Sequence, residues 1–390
     1  MIIPKLALKN ILGAGLRTWL NVVVLSFSFV AIIWTQGLYE GMNKQASTAM
    51  INSEFGGGQY WQENYDPYDP LSIQDSHAKP PAVLQKLIAA GKATPVLVVQ
   101  GTIYPEGRFM PVLLKGIDPQ QSIVDIPAQF LKSDGEELPA LIGAGMAATT
   151  GLKIGDYITL RWRDADGAFD ADDARIVQIM NTPVQDIDQG QIWLPLKRLQ
   201  KMAGMKNEAT LIIMERNFQN PIKVTGWTFK NLDFLLQDIH QLVESKSVGS
   251  SILYLLLLFL AMIAIFDTQV LSIFRRRKEI GTLIALGMTR SKVIQLFTLE
   301  GALYGILAAG VAAIYGIPLL AYTAAKGWAL PQSTKSYGFS LGSTLFPSYS
   351  FALIIGTTLI VLITVTIVSF LPTRRISKLK PTDALRGKMT

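Results

Sequence analysis

Arg275-Arg276-Arg277-Lys278-Glu279-Ile280-Gly281-Thr282-Leu283-Ile284-Ala285-Leu286-Gly287-Met288-Thr289-Arg290 begins where the apolar run Ile252–Phe274 stops. That run is long enough to cross a bilayer core, which takes about 20 helical residues. Within the stretch, Ile280, Leu283, Ile284 and Gly287 recur at i, i+3, i+4 and i+7, which gives a short helix one apolar face. Gly287 suits a helix end and Thr289 the N-cap of a following helix. The apolar face has two readings. It rests on lipid while Arg275–Lys278 meet anionic headgroups, or it docks in a groove on a cytoplasmic protein.

The rest of the chain agrees with a membrane setting. Apolar residues make up 49% and charged residues 17%, mean hydropathy is +0.31, and soluble domains carry about 25% charge. Four runs approach spanning length: Trp19–Leu38, Ile252–Phe274, Gly301–Tyr322 and Phe351–Leu371. The third contains Gly301, Gly305, Gly310, Gly316 and Pro318, residue types that membrane helices tolerate.

Lys and Arg set the orientation. Lys5, Lys9 and Arg17 precede the first run. Arg275, Arg276, Arg277, Lys278, Arg290 and Lys292 follow the second, and Arg374, Arg375, Lys378, Lys380, Arg386 and Lys388 follow the fourth. The intervening segment 41–249 has 19 basic against 24 acidic residues. Both termini and the 275–300 segment are therefore expected inside, with the long segment and the loop 323–350 outside. The formal charge of +7 is an orientation signal. Nucleic-acid binding is excluded as a reading, because the basic residues flank apolar runs and form no patch on a soluble domain.

The expected fold class is a membrane protein with four transmembrane α-helices and a large mixed α/β extracytoplasmic domain on helical stalks. In order, residues 1–18 form an interfacial helix, 19–38 the first span and 39–251 the outside domain with its stalks. Residues 252–274 form the second span, 275–300 a cytoplasmic helix and loop, and 301–322 the third span. An outside loop 323–350, a fourth span 351–371 and a cytoplasmic tail 372–390 complete the chain. Ile3, Leu6, Ala7, Asn10 and Ile11 fall at helical spacing opposite Lys5 and Lys9, which suits a helix along the inner leaflet. The first run exceeds a signal peptide's apolar core and no A-x-A-like site follows it, so it reads as an uncleaved span. Leu38, Met42, Ala46 and Ala49 after the first span, and Leu235, Ile239, Leu242 and Val243 before the second, continue the helical period as stalks.

In the outside domain, Pro95–Tyr104 and Phe109–Ile117 flank the turn Pro105-Glu106-Gly107-Arg108 as a hairpin. Tyr157–Trp162, Arg175–Met180, Gln191–Leu194 and Ala209–Met214 read as strands. Ala82–Ala90 and Leu196–Ala203 read as helices, each followed by glycine. Asp164, Asp166, Asp170, Asp172 and Asp173 resemble a calcium loop only loosely, since no Glu closes the frame. A solvated hairpin tip is the better reading.

No catalytic constellation is visible. Cysteine is absent, and His77 and His240 stand alone. There is no Walker loop, H-E-x-x-H or G-x-S-x-G. No metal site is expected, and ATP hydrolysis by this chain is not. Two ionisable residues lie at or near spans. Glu300 is expected to pair with a cytoplasmic-edge Arg or Lys. For Asp267 two readings stand: an intramembrane polar contact, or a carboxylate reaching the headgroups near Arg275.

Arg277-Lys278-Glu279-Ile280-Gly281, Ala285-Leu286-Gly287-Met288 and Leu299-Glu300-Gly301 together resemble the signature of FtsX-like ABC-transporter permeases. The tail Lys380-Pro381-Thr382-Asp383-Ala384-Leu385-Arg386 is similar to that family's closing pattern. So are the start Leu6-Ala7-Leu8-Lys9-Asn10 and the outside stretch Ile142–Asp156. Phe274 stands where an acid is common and Ile284 where Arg is common. The resemblance implies a permease paired with a second copy or a paralogue and served by a cytoplasmic ABC ATPase dimer. ATP and Mg are held in that partner and none is bound directly here. Arg277, Lys278, Glu279, Ile280, Gly281, Leu283, Ile284, Leu286, Gly287 and Met288 would form the ATPase-coupling interface. It also implies a bacterial inner membrane location with the large domain in the periplasm. The function it implies first is release of lipoproteins, as in the LolC/LolE type, by mechanotransmission to a periplasmic carrier. A MacB-like efflux role and an FtsX-like regulation of a periplasmic hydrolase are the alternatives. MacB-type chains usually carry a fused ATPase domain at the N-terminus, and this chain is expected to lack one.

Overall fold

Along Ala93–Ile103 the buried side chains alternate between two clusters. Leu97 and Val99 belong to one, and Val96 and Val98 to the other. This period of two is strand geometry, and both faces of the strand are covered. The computed structural model describes residues 6, 7, 10, 15–132, 135–182, 184–219, 221–329, 344–374 and 376. The expectations for Lys5, Lys9, residues 330–343 and the tail from Ser377 lie outside the described residues. The chain divides into an α/β unit, Asn43–Gln241 with Leu330–Ser343, and a helical unit, Met1–Met42, Leu242–Ala329 and Thr344–Thr390.

The α/β unit contains strands β1 (Gln59–Gln62), β2 (Ala93–Ile103), β3 (Met110–Ile117), β4 (Leu138–Gly143) and β5 (Tyr157–Arg163). They are followed by β6 (Phe169–Met180), β7 (Gln191–Pro195), β8 (Leu211–Met214) and β9 (Trp227–Lys230). β2 pairs antiparallel with β3, β3 parallel with β7, and β7 antiparallel with β4. β4 then pairs parallel with β6, β6 antiparallel with β5, and β5 antiparallel with β2. The six strands therefore close into a ring, which leaves no edge among them. Its interior is one cluster with side chains from all six strands, among them Val99, Leu114, Ala140, Leu160, Ile176 and Ile192. The first half of β2 pairs instead with β8, and β1 and β9 extend that side.

The expected hairpin forms, turning through Pro105–Gly107. The two expected helices are Ala82–Ala89 and Leu196–Met202, and Gly91 and Gly204 lie beyond them in the left-handed region. The acidic run is a hairpin between β5 and β6. Ala168 N donates to Asp164 Oδ1 at 2.8 Å at the turn, while Asp170, Asp172 and Asp173 lie on β6 itself.

Among the described residues, four helices are long and apolar enough to cross a membrane. Their candidate spans are Trp19–Phe55, Gln237–Arg275, Arg290–Lys326 and Phe351–Thr373. The first and second of these helices, Leu16–Met50 and Gln237–Arg275, outrun a bilayer core at 35 and 39 residues. One cluster joins the four, including Leu25 and Phe29, Ala261 and Ile265, Tyr304 and Ala308, and Val361 and Val365. The third helix is continuous from Arg290 to Lys326, so it starts where Thr289 was expected to cap it and takes in residues 290–300, which the expected boundaries assigned to a helix and loop. Thr289 occupies the N-cap position with extended backbone, but its side chain makes no capping hydrogen bond. At the fourth helix Ser350 does cap, accepting from Leu353 N at 3.2 Å.

Candidate functional site

The second long helix ends at Arg275, a separate helix spans Arg277–Ala285, and the third begins at Arg290. The connection is fixed by Gly287, whose φ of 94° lies in the left-handed region. Gly287 N donates to Ile284 O at 3.0 Å and Met288 N to Leu283 O at 3.0 Å, which closes the short helix.

The apolar face points inward. Ile280 is fully buried and Gly281 is buried, while Leu283, Ile284 and Met288 are partly covered. They pack with Ile273, Val293, Phe297 and Ile376. Of the residues expected on this face, Ile280 and Gly281 are covered by the chain's own helices, because the third helix begins at Arg290 and offers Val293 and Phe297. The other side is open, with Lys278, Glu279, Thr282, Ala285, Leu286 and Gly287 exposed. Leu286 is 80% exposed at the end of the helix.

Charged groups hold the base of this helix. Arg276 Nη1 donates to both oxygens of Glu300, at 3.0 and 2.9 Å, and Arg276 Nε donates to Glu279 Oε2 at 2.7 Å. Asn10 Nδ2 donates to Glu300 Oε1 at 2.7 Å. The guanidinium lies 4.8 Å from the Phe297 ring centre. Burial works against the charge of Arg276, but Glu279 and Glu300 outweigh it and hold the group above its ordinary pKa. Arg277 stacks on Phe274 at 4.9 Å. This is the residue that stands where an acid is common, and it serves here as a cation–π platform.

Sequence reasoning expected a basic partner for Glu300 but did not single out Arg276, Asn10 or Phe297. Nothing in a separation of 24 or 290 residues marks these pairs. Asp267 is exposed on the second helix and has no hydrogen bond or ion pair among the described residues. It lies two helical turns before Arg275, about 12 Å along the axis. Asn21 and Thr268 are hydrogen-bonded beside it.

Among the described residues no cluster of three or more His, Asp or Glu could hold a metal ion. His77 Nδ1 lies 2.5 Å from Glu208 Oε2, and His240 Nε2 lies 3.5 Å from Ser47 Oγ. In the α/β unit, a cleft of about 1050 Å³ runs between the two hairpins, lined by Leu71, Tyr104, Phe109, Arg161, Trp162 and Phe169 among others. Arg161 lies 4.7 Å from the Phe169 ring centre.

Residues 251–381 match the family described as FtsX-like permease C-terminal. The chain is 23% identical over 65% of its length to an uncharacterized ABC transporter permease, MJ1507, of Methanocaldococcus jannaschii, and spans 64% of that relative. It is 21% identical over 72% of its length to the lipoprotein-releasing system transmembrane protein LolC of Xylella fastidiosa, spanning 74% of it. A probable export ATP-binding/permease protein MacB of Pseudomonas entomophila is 26% identical over 40% of this chain and 21% of its own length.

Proposed function

We propose that this chain is an ABC-transporter permease of the FtsX, LolC and MacB type, and that it couples ATP hydrolysis in a separate cytoplasmic subunit to movement of its α/β unit on the far side of the membrane; the match to the FtsX-like permease C-terminal family and the similarity to permeases support this reading. ATP binding draws two ATPase subunits together. The Arg277–Ala285 helices, seated on them by the exposed side of Lys278, Glu279 and Leu286, move with them. The long helices Leu16–Met50 and Gln237–Arg275 pass the motion outward.

The observation that carries this reading is the short helix itself. It lies inside the matched domain, between two candidate spans, with its apolar side already covered and a charged side plus Leu286 left exposed. With the apolar side tied to the chain's own helices, the open side is free to meet a partner while the helix stays fixed to the third helix. The 35- and 39-residue helices support transmission, because continuous helix carries a tilt that a flexible linker would absorb.

The cargo we infer is a lipoprotein at the outer leaflet of a bacterial inner membrane, lifted out and passed to a periplasmic carrier, with a second copy or paralogue completing the permease. The similarity to LolC supports it. The similarity to MacB keeps efflux from the periplasm as the second reading. The test is depletion of the chain followed by fractionation of palmitate-labelled lipoproteins. Retention in the inner membrane fraction is expected. Unchanged lipoprotein distribution with accumulation of an exported small molecule would favour efflux.

A further inference from the structure

Arg276 is the corner residue between the second long helix and the short one, with φ −98° and ψ 19° outside helical values. From this corner its side chain engages two elements. It grips Glu300 on the third helix by two bonds at 2.9 and 3.0 Å, lies 4.8 Å from the ring of Phe297 on the same helix, and bonds Glu279 on the short helix at 2.7 Å. Glu300 is in turn held by Asn10, from the N-terminal segment. The Glu300 side chain is 5% exposed and that of Arg276 is 22% exposed, whereas Glu279 is 63% exposed. One planar group thus links an exposed partner-side carboxylate to a buried one.

The geometry points to Arg276 as the positioning residue of the partner-facing helix. This rests on the permease reading above. Nη1 bonds Glu300 and Nε bonds Glu279, so two nitrogens of one rigid plane are held by two carboxylates, which the single nitrogen of a lysine ammonium cannot reproduce. The short helix is thereby held to the base of the third helix in one orientation. Motion imposed on Glu279 and Leu286 reaches the third helix instead of being lost at the non-helical corner. Asn10 extends the same coupling to the N-terminal segment.

The test is amide hydrogen exchange of residues 277–289 in the full-length chain, in nanodiscs of phosphatidylethanolamine and phosphatidylglycerol. Arg276→Lys keeps the charge and loses the fork, and exchange across the short helix should rise about tenfold. Arg276→Gln should raise it further. Asn10→Ala, remote in sequence, should raise it in the same segment by a smaller factor. Amides of the fourth helix should keep wild-type protection, which reports an intact fold. Wild-type exchange at 277–289 in both Arg276→Lys and Asn10→Ala overturns the inference. A second arm compares any ATPase that co-purifies. Failure of the wild-type chain to bring one down contradicts the permease reading and leaves the exchange result standing. Wild-type recruitment and turnover by Arg276→Lys, despite loosened exchange, contradicts the inference alone.

Discussion

Gly301 backs directly onto Ser369: a Cβ at Gly301 would lie 2.1 Å from Ser369 Oγ and 2.9 Å from Gln269 Nε2. Three helices therefore meet at a point where only a glycine fits. Close approach through small residues is how membrane helices gain packing that lipid cannot supply. Gly301→Val should force the third and fourth helices apart at a cost of about 1–3 kcal/mol. The check is thermal unfolding of the detergent-solubilised chain, with Gly310→Val, whose Cβ meets nothing within 4 Å, as the control expected to melt like wild type.

Leu283 and Leu286, one turn apart, should separate two roles. Leu283 packs in the chain's own cluster, so Leu283→Asp should destabilise the short helix by about 2–5 kcal/mol. Leu286 is 80% exposed, so Leu286→Asp should leave folding intact and abolish ATPase co-purification. Melting temperature and pull-down, measured on both variants, decide it. Equal loss of fold in both would place Leu286 in the core.

Much of this was legible in the sequence, for a physical reason. Apolar runs, helical spacing at Ile280, Leu283 and Ile284, and the Pro105–Arg108 turn are local patterns, and local patterns survive in one dimension. The direction in which that apolar face points was not legible. It depends on Val293 and Phe297 lying within reach below the third span, which required the helix to begin at Arg290. The ring of β2 to β7 was equally hidden. Its closure depends on the parallel β3–β7 pairing and on β2 serving β3, β5 and β8 at once.

Lys115 and Glu54 form a buried ion pair in the α/β unit, with side chains 4% and 16% exposed and the Trp193 ring 5.3 Å from the ammonium. Glu54 lies in the π-helical turn Ile51–Phe55 that follows the first long helix. Lys115→Met leaves the carboxylate buried without its partner and should cost about 3–5 kcal/mol. Lys115→Met with Glu54→Gln should recover part of that loss. Chemical denaturation of the full chain, read by tryptophan fluorescence, measures both. A double variant no more stable than the single would remove the pair as the cause.

Reporters inserted at the Asp166–Gly167 turn and fused after Thr390 should lie on opposite sides of the membrane. The motive is the excess of acid in 41–249 against the basic flanks of the spans. Both reporters on one side would remove the four-span arrangement.

The exposed side of the Arg277–Ala285 helix is expected to meet a cytoplasmic ATPase. The chain has no cysteine, so Leu286→Cys can carry a benzophenone maleimide as its single label. Illumination in native membranes, followed by mass spectrometry of the adduct, should identify an ATP-binding-cassette subunit joined at position 286. The crosslink should be absent when the label sits at Ile314, 79% exposed on the third helix. Adducts at position 286 that contain lipid alone, in membranes where the ATPase is present and bound, would make this helix a lipid-surface element.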